Sequence, residues 1–283
     1  MTYVSLNGII TRADKTALSL DNRAFRYGDG FFETIKCIKG KLPLWKYHSR
    51  RFFETLKALR FEIPKHLTED SLLDNIIELA VKNQHHRVGR VRVTVFRGDG
   101  GLYDDVSPLP NILIQTWNLN PQNNFINENG LIVGNFPGGI KAVDNFANLK
   151  TNNYLLYVMA ALYARDQYWN DAFVRNHLGN ICDATIANIW AIRDGVLLTP
   201  PLSEGPVAGV MRQYLLDHLP ETGWKTQETP FTSAVLHSAD EIFITNSIFG
   251  LRWVKEYEGK NYPSFQATRI NATLIAPFWA ATK

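Results

Sequence analysis

The sequence is poor in cysteine and in net charge, and both shortages exclude classes of protein. Its 283 residues include only two cysteines, Cys37 and Cys182, and its formal charge at pH 7 is +3. Two cysteines can form neither a disulfide framework nor a cysteine-rich zinc site. So small a charge gives no electrostatic basis for binding nucleic acid or an anionic membrane. We therefore expect no metal ion, no nucleic acid and no membrane among its partners.

Long apolar runs are missing as well. No stretch approaches the roughly 18 apolar residues that a membrane-spanning helix needs. The first residues, MTYVSLNGIITRADK, lack the basic region followed by an apolar core that is typical of a secretory signal. The sequence therefore predicts a cytoplasmic protein.

The composition that is present indicates a folded protein of two domains. Hydrophobic residues make up 45% of the chain and charged residues 20%, and the length exceeds that of one small domain. The polar, Asn-rich stretch 118–130 contains a proline and has no periodicity, as is typical of a linker. We predict an N-terminal α+β domain at 1–118, a linker at 119–128 and a C-terminal domain at 129–283.

Hydrophobic periodicity predicts short strands alternating with helices. The dipeptide Asn7-Gly8 favours a hairpin turn. The segment RAFRYGDGFFETIKCIKGKLPLW is expected to form two strand-like runs, separated by Lys39-Gly40. Apolar residues three and four apart predict a helix from Trp45, and Thr68 is the expected N-cap of a second helix.

Lys150 is the first candidate for chemistry. It lies in the polar segment FANLKTNN, immediately before an apolar helix. A lysine amine can form a Schiff base with an aldehyde if burial and nearby cations favour its uncharged form. The alternative is an ordinary solvated lysine, which describes most lysines of the chain.

Asp183 is the second candidate. It lies in CDATIAN, a run that otherwise resembles a strand entering the core. A buried carboxylate needs a partner, and a protonated pyridine nitrogen would be one. The alternative is an aspartate that caps the turn after Gly179-Asn180.

A candidate anion site follows in the sequence. Gly205, Pro206 and Gly209 interrupt the chain before the helix VMRQYLLDHL, whose first N–H groups, on Val210 and Met211, are available to a phosphate.

Two further groups are candidates for the same phosphate. Arg51 can add a charge-assisted contact, or it is a surface arginine on an amphipathic helix. The hydroxyls of Thr245 and Ser247 lie at the end of a predicted strand.

Six ordered blocks of the sequence resemble the class IV, fold-type IV pyridoxal-phosphate family. They are RYGDGFFETI, KYHSRRF, RGDGG, LKTNNY, DATIANIW followed by TP and GVMR, and ADEIFITNS. This family includes branched-chain and D-amino-acid aminotransferases and 4-amino-4-deoxychorismate lyases. The resemblance implies pyridoxal 5'-phosphate as cofactor and a two-domain α+β fold like that of D-amino-acid aminotransferase. It also implies an active site between the domains and a homodimer.

The resemblance assigns roles residue by residue. Lys150 takes the place of the Schiff-base lysine, Asp183 that of the acid facing the pyridine nitrogen, and Tyr154 that of the residue at the phenolate oxygen. The phosphate is assigned to Arg51, Val210, Met211 and Ser247. Arg97, Tyr27 and Phe32 are assigned to the substrate.

Three positions depart from the family pattern. Asp183 stands where glutamate is usual and is one methylene shorter, Trp190 replaces phenylalanine or tyrosine, and Met211 replaces a common threonine.

The reaction is left with alternatives. We favour an aminotransferase acting on a small amino acid/keto acid pair through a Lys150 Schiff base. The alternative is a 4-amino-4-deoxychorismate lyase, because RGDGGLY and TNSIFG resemble lyase patterns, although Leu102 stands near the place of a lyase arginine. In either case Arg97 holds a carboxylate or supports its loop. A more remote alternative is a non-catalytic cofactor-binding scaffold.

Overall fold

The computed structural model describes residues 2–280 and divides the chain into two units. The first unit extends to Pro121 and also contains Lys150–Asn153. Among the described residues, the second unit contains Gln122–Leu149 and 154–280. The division at Pro121 lies within the stretch that we expected to be a linker.

The first unit is an antiparallel sheet covered by helices. Its elements are β1 (Tyr3–Leu6), β2 (Ile9–Arg12), α1 (Arg23–Tyr27), β3 (Gly30–Ile38), α2 (Trp45–Ala58), α3 (Glu69–Lys82), β4 (Val88–Phe96) and β5 (Asn111–Asn118). The strand order is β2-β1-β5-β4-β3. Apolar residues of α2 and α3, such as Phe52 and Ile76, pack in one core with alternate residues of β4, such as Val91 and Val93. The predicted helix at Trp45 and the N-cap at Thr68 are confirmed.

One predicted strand-like region differs in the structure. Residues before β3 form the short helix α1, because the Asn22 side chain accepts a hydrogen bond from the backbone N–H of Ala24 and caps it. Gly28 ends this helix with a φ of 68°, a conformation that glycine adopts without strain. After Gly40 only a single bridge, between Ile38 and Lys41, takes the place of the second run.

The segment that carries Lys150 pairs with β3, the edge strand of the first sheet. The backbone N–H of Phe32 donates to the carbonyl of Lys150 at 3.0 Å, and that of Asn152 donates to the carbonyl of Gly30 at 2.9 Å. We expected Lys150 in the C-terminal domain from its place in the sequence. Strand pairing instead makes its segment part of the first unit.

The second unit contains a larger sheet. Its elements are β6 (Leu131–Lys141), α4 (Leu155–Asp166), β7 (Asp171–Asn176), β8 (Ile181–Ala184), β9 (Asn188–Arg193), β10 (Val196–Thr199), α5 (Val210–His218), β11 (Lys225–Glu228), α6 (Ser233–His237), β12 (Glu241–Asn246), β13 (Gly250–Tyr257), β14 (Lys260–Asn261), α7 (Phe265–Ile270) and α8 (Ala276–Ala280). The strand order is β11-β10-β9-β12-β13-β6-β7-β8, and β14 pairs with β13. The strand β8 also pairs with β9 through Asp183 and Asn188, so six strands close into a ring at these two residues.

Two further observations apply to residues 2–280. No helix in this range has the length and apolar character needed to cross a membrane. In the same range, no cluster of three or more His, Cys, Asp or Glu side chains is placed to hold a metal ion.

Candidate active site

The amine of Lys150 lies beside an aromatic ring and near other cations in the first unit. Its Nζ is 4.6 Å from the centroid of the Phe32 ring, and the guanidinium carbon of Arg92 is 3.6 Å from the same centroid. Lys36 follows on the same face of β3 and is 2% exposed. Burial lowers the pKa of Lys36 to about 7. This positive, partly desolvated surrounding is the kind that favours an uncharged, nucleophilic amine.

Arg51 is bound to a buried carboxylate. Its Nε and Nη2 donate to the two oxygens of Glu33 at 2.6 Å each, and His48 Nδ1 lies 2.7 Å from Glu33 Oε2. Burial alone would raise the pKa of Glu33, but Arg51 and His48 outweigh it and lower that pKa to about 2. Burial lowers the pKa of His48, so we assign a neutral ring that donates from Nδ1, with Arg51 supplying the charge. Arg51 is therefore held in a fixed plane, and its phosphate role stays a prediction.

Arg97 makes contacts within its own unit. Its Nη2 donates to the carbonyl of Leu59 at 2.5 Å, and its Nε is 3.7 Å from Asp29 Oδ2. The guanidinium carbon also lies 4.2 Å from the centroid of the Phe61 ring. These contacts match the alternative in which Arg97 supports its loop.

The other two predicted substrate residues differ in exposure. Phe32 is buried, whereas Tyr27 at the end of α1 is exposed. The guanidinium carbons of Arg23 and Arg26 lie 5.5 and 5.3 Å from the Tyr27 ring centroid. The structure therefore brings Phe32 to Lys150, through the ring contact and the backbone hydrogen bond of β3.

Asp183 is held by three neutral donors in the second unit. Its Oδ2 accepts from the Tyr157 hydroxyl at 2.9 Å and from the Val207 N–H at 2.8 Å. Its Oδ1 accepts from the side-chain amide of Asn188 at 2.9 Å. Because Asp183 is 2% exposed and lies at the seam of the strand ring, it is fixed in place rather than capping a surface turn.

Tyr157 connects Asp183 to a buried lysine. Lys141 Nζ donates to the Tyr157 hydroxyl at 2.7 Å and to the Ala147 carbonyl at 3.0 Å. Burial, and then the charge of Asp183, raise the pKa of Tyr157 well above its usual value. The hydroxyl therefore keeps its proton and donates a hydrogen bond to the carboxylate.

Tyr154 neighbours this group. Its hydroxyl donates to the Thr185 carbonyl at 3.3 Å, and its ring centroid is 4.5 Å from that of Tyr157. Its predicted place at the cofactor stays a prediction.

The predicted anion site is the first turn of α5. Its N-cap is Gly209, which has no side chain to cap the helix. The N–H groups of Val210 and Met211 therefore receive no hydrogen bond from the N-cap side chain. A β-carbon added at Gly209 would lie 1.8 Å from Asn188 Oδ1. Glycine is therefore required where this turn passes the side chain that also binds Asp183.

Ser247 lies just beyond β12, and its side chain is buried. Thr245, two residues earlier, pairs with Asn188 across β9 and β12, and its hydroxyl accepts from Trp190 Nε1 at 3.1 Å. The end of β12 thus lies beside the start of β9, and Asn188 neighbours the acid, the helix turn and this strand end.

The sequence analysis missed five residues that surround Arg51 in the first unit or Asp183 in the second. They are Glu33, His48, Lys141, Tyr157 and Asn188. A polar residue inside an apolar run, as in GFFETIKCI or NYLLYV, was the available signal. This signal shows that a buried polar side chain needs a hydrogen-bond partner, but it does not identify that partner.

The residues around Lys150 in the first unit and around Asp183 in the second each suit a part of pyridoxal phosphate. A lysine amine suits its aldehyde, a fixed carboxylate suits its ring nitrogen, and a glycine-opened helix N-terminus suits its phosphate. Gly209 allows the start of α5 to pass close to Asn188, the residue that also donates to Asp183.

Comparisons with known proteins agree with this chemistry. A family model described as amino-transferase class IV matches residues 30–257. The chain is 29% identical to an aminodeoxychorismate lyase of Vibrio harveyi over 84% of this chain and 86% of that protein. It is 24% identical to a D-alanine aminotransferase of Listeria monocytogenes, with 95% and 91% covered.

The fold has close counterparts among solved structures. A branched-chain amino acid aminotransferase from Escherichia coli superposes with a TM-score of 0.87 at 21% identity, covering 100% of this chain and 96% of that one. The chain therefore belongs to the class IV aminotransferases, a family of pyridoxal-phosphate-dependent transaminases and aminodeoxychorismate lyases.

Proposed function

We propose that this chain is an aminotransferase that moves an amino group between a small amino acid and a keto acid. The observation that carries the choice is the loop that follows β4. Arg97 is engaged with Leu59, Asp29 and Phe61, and Leu102, near the place of a lyase arginine, is 60% exposed. A dianionic lyase substrate carries two carboxylates, whereas the loop segment 97–103 contains a single arginine.

Lys150 is the proposed catalytic residue. Pyridoxal phosphate, when bound, accepts the electron pair of the bond that breaks at the α-carbon of the amino acid. Once displaced from the aldehyde by the amino group of the substrate, the Nζ of Lys150 would act as the general base that takes up the α-proton and gives it up again. The guanidinium of Arg92 and the amine of Lys150 both lie over the Phe32 ring, and a neighbouring cation of this kind lowers the cost of an uncharged amine.

The remaining predicted residues hold the cofactor. Asp183 is the proposed partner of the ring nitrogen, because its carboxylate is buried and fixed by three donors. Arg51 is proposed to contact the phosphate, since its two-point contact with Glu33 fixes the plane of its guanidinium. The other proposed contacts are those of Val210, Met211, Ser247 and Tyr154.

Substrate recognition is proposed to depend on Phe32 and on Arg92. The buried Phe32 ring gives an apolar surface beside Lys150, and the Arg92 guanidinium over the same ring gives a partner for a carboxylate. Arg97 and Tyr27 remain candidates that act through the loops around β3.

The second candidate is a 4-amino-4-deoxychorismate lyase. The 29% identity to the lyase of Vibrio harveyi supports it, as do the segments RGDGGLY and TNSIFG. The protein would then use the same Lys150 proton transfer and expel pyruvate instead. A non-catalytic scaffold is less consistent with the sequence, because both Lys150 and Asp183 are retained.

We further propose a cytoplasmic homodimer. One face of α4 leaves Leu155, Val158, Met159 and Leu162 exposed at helical spacing, and a second copy would cover such a face. The two cysteines are buried and unpaired, as suits a reducing compartment. Sedimentation velocity tests the dimer, and the double variant Val158→Lys/Met159→Lys should sediment as a monomer.

An amino-acid panel tests the activity. Holoenzyme mixed with single L- and D-amino acids should lose its visible cofactor absorbance and release the matching keto acid, whereas Lys150→Ala should do neither. Pyruvate release from aminodeoxychorismate, without a spectral change for any amino acid, would favour the lyase instead. A wild-type protein that takes up no pyridoxal phosphate would overturn both.

A further inference from the structure

A chain of three buried side chains ends at Asp183. Lys141 Nζ donates to the Tyr157 hydroxyl at 2.7 Å, and this hydroxyl lies 2.9 Å from Asp183 Oδ2. Lys141 and Tyr157 are 8% and 6% exposed. Burying an ammonium and a phenol is costly unless each has a partner, so these two side chains depend on each other and on the carboxylate.

The direction of each hydrogen bond follows from the chemistry of the groups. A lysine ammonium has donors and no acceptor, so the Tyr157 oxygen must accept from Lys141. The single hydrogen of the Tyr157 hydroxyl is then directed to Asp183. Lys141 is held in turn by the Ala147 carbonyl and lies 5.1 Å from the Tyr157 ring centroid.

The three side chains come from three elements of the second unit. Lys141 ends β6, Tyr157 lies in the first turn of α4, and Asp183 lies in β8. A shift of any of these elements would break a link of the chain. The carboxylate is thus oriented by packing of the unit and not by its own strand alone.

We propose that Tyr157, directed by Lys141, is a positioning residue for Asp183 and sets how strongly that carboxylate competes for the proton of the cofactor ring nitrogen. The inference rests on the proposed function, in which Asp183 faces this nitrogen. A hydrogen bond donated to a carboxylate makes it less basic, so the proton stays on the ring. A ring that keeps this proton is the better electron acceptor.

Tyr157→Phe tests the link to Asp183. We expect pyridoxal phosphate to bind the apo-protein about tenfold more weakly, because the Asp183 carboxylate loses a donor that holds it in place. The ¹⁵N chemical shift of the ring nitrogen of labelled cofactor should move towards that of an unprotonated pyridine. The matched control is Tyr257→Phe, which removes another buried hydroxyl, bonded to Asn135 and Ser233, and should change neither value.

Lys141→Met tests the link to Tyr157. The hydroxyl remains but loses its enforced direction, so we expect about a threefold loss of cofactor affinity and a smaller ¹⁵N shift in the same sense. Lys260→Met is the control, because Lys260 donates to two carbonyls and, like Lys141, lies over a tyrosine ring. The double variant Lys141→Met/Tyr157→Phe should have the affinity and ¹⁵N shift of Tyr157→Phe, because Lys141 is proposed to act on Asp183 only through the Tyr157 hydroxyl.

Each outcome decides the proposal. Wild-type affinity and ¹⁵N shift in Tyr157→Phe overturn it, and so do additive effects in the double variant. Circular dichroism and melting of the apo-proteins identify variants that fail to fold, and Lys141→Met then carries the test because it keeps Tyr157. If Lys150→Ala binds pyridoxal phosphate as the wild type does, the proposed function is overturned as well. If only Tyr157→Phe and Lys141→Met keep wild-type affinity and ¹⁵N shift, this inference alone is overturned.

Discussion

Glu33 and Asp183 are both carboxylates that are 2% exposed, one in each unit, and their partners differ in charge. Glu33 is bound by the guanidinium of Arg51 in a two-point contact, with His48 beside it. Asp183 is bound by a hydroxyl, an amide and a backbone N–H. The first arrangement pairs the carboxylate directly with a cation, whereas these three hydrogen bonds to Asp183 come from uncharged groups.

The difference separates a structural role from a chemical one. A carboxylate that is paired with arginine fixes the arginine, so Glu33 holds the guanidinium plane of Arg51 in place. A carboxylate held by neutral donors keeps an electrostatic field that can act on a positive group, such as a protonated ring nitrogen. Burial by itself does not distinguish these roles, but the partners do.

The largest effect should come from removing the charge of Asp183. Asp183→Asn keeps the size of the side chain but not its field, so we expect kcat to fall by about 10²–10³-fold. Steady-state kinetics with the best amino acid of the panel measures it. Glu241→Gln is the matched control, because that buried carboxylate accepts from the N–H groups of Gln266 and Ala267 at the start of α7. A kcat above a tenth of the wild-type value in Asp183→Asn would show that the charge is not used.

Glu33→Gln should affect the free energy of unfolding more than it affects kcat. At neutral pH we expect the free energy of unfolding to fall by roughly 3 kcal/mol, because Arg51 loses its buried counter-ion. The folded-state pKa of Glu33 is lowered from 4.5 to about 2, so its contribution is complete above pH 4.5 and is lost as the pH falls towards 2. Urea unfolding of both proteins between pH 7 and 2 checks this. A stability difference that persists unchanged at pH 2 would contradict the assignment.

The smallest effect is expected from disturbing one neutral donor of Asp183. In Gly209→Ala the new methyl group would meet Asn188 Oδ1, so the amide that binds Asp183 must move. Such overpacking costs about 1–2 kcal/mol, seen in thermal melting, and should weaken cofactor binding several-fold. Gly98→Ala is the control for stability, since the nearest heavy atom to its β-carbon would be 3.8 Å away. Equal melting temperatures of the two variants would argue against a tight contact at Gly209.

Much of the local structure could be predicted from the sequence. The hairpin at Asn7-Gly8, the helix from Trp45 and the N-cap at Thr68 depend on neighbouring residues, and all three are confirmed. The helix α1 was missed because its start depends on one side-chain hydrogen bond of Asn22 within a strand-like run. The pairing of the Lys150 segment with β3 was missed too, since these residues are far apart in the chain.

The sequence alone determined the family, the cofactor and the candidate lysine and acid, because ordered motifs carry that information along the chain. Only the tertiary structure decided which groups surround them. Arg51 meets Glu33 across 18 residues and Tyr157 meets Asp183 across 26, and such contacts exist only when separate elements pack together. Periodicity reports which face of an element is buried, whereas the partner of a buried charge depends on what the fold places against it.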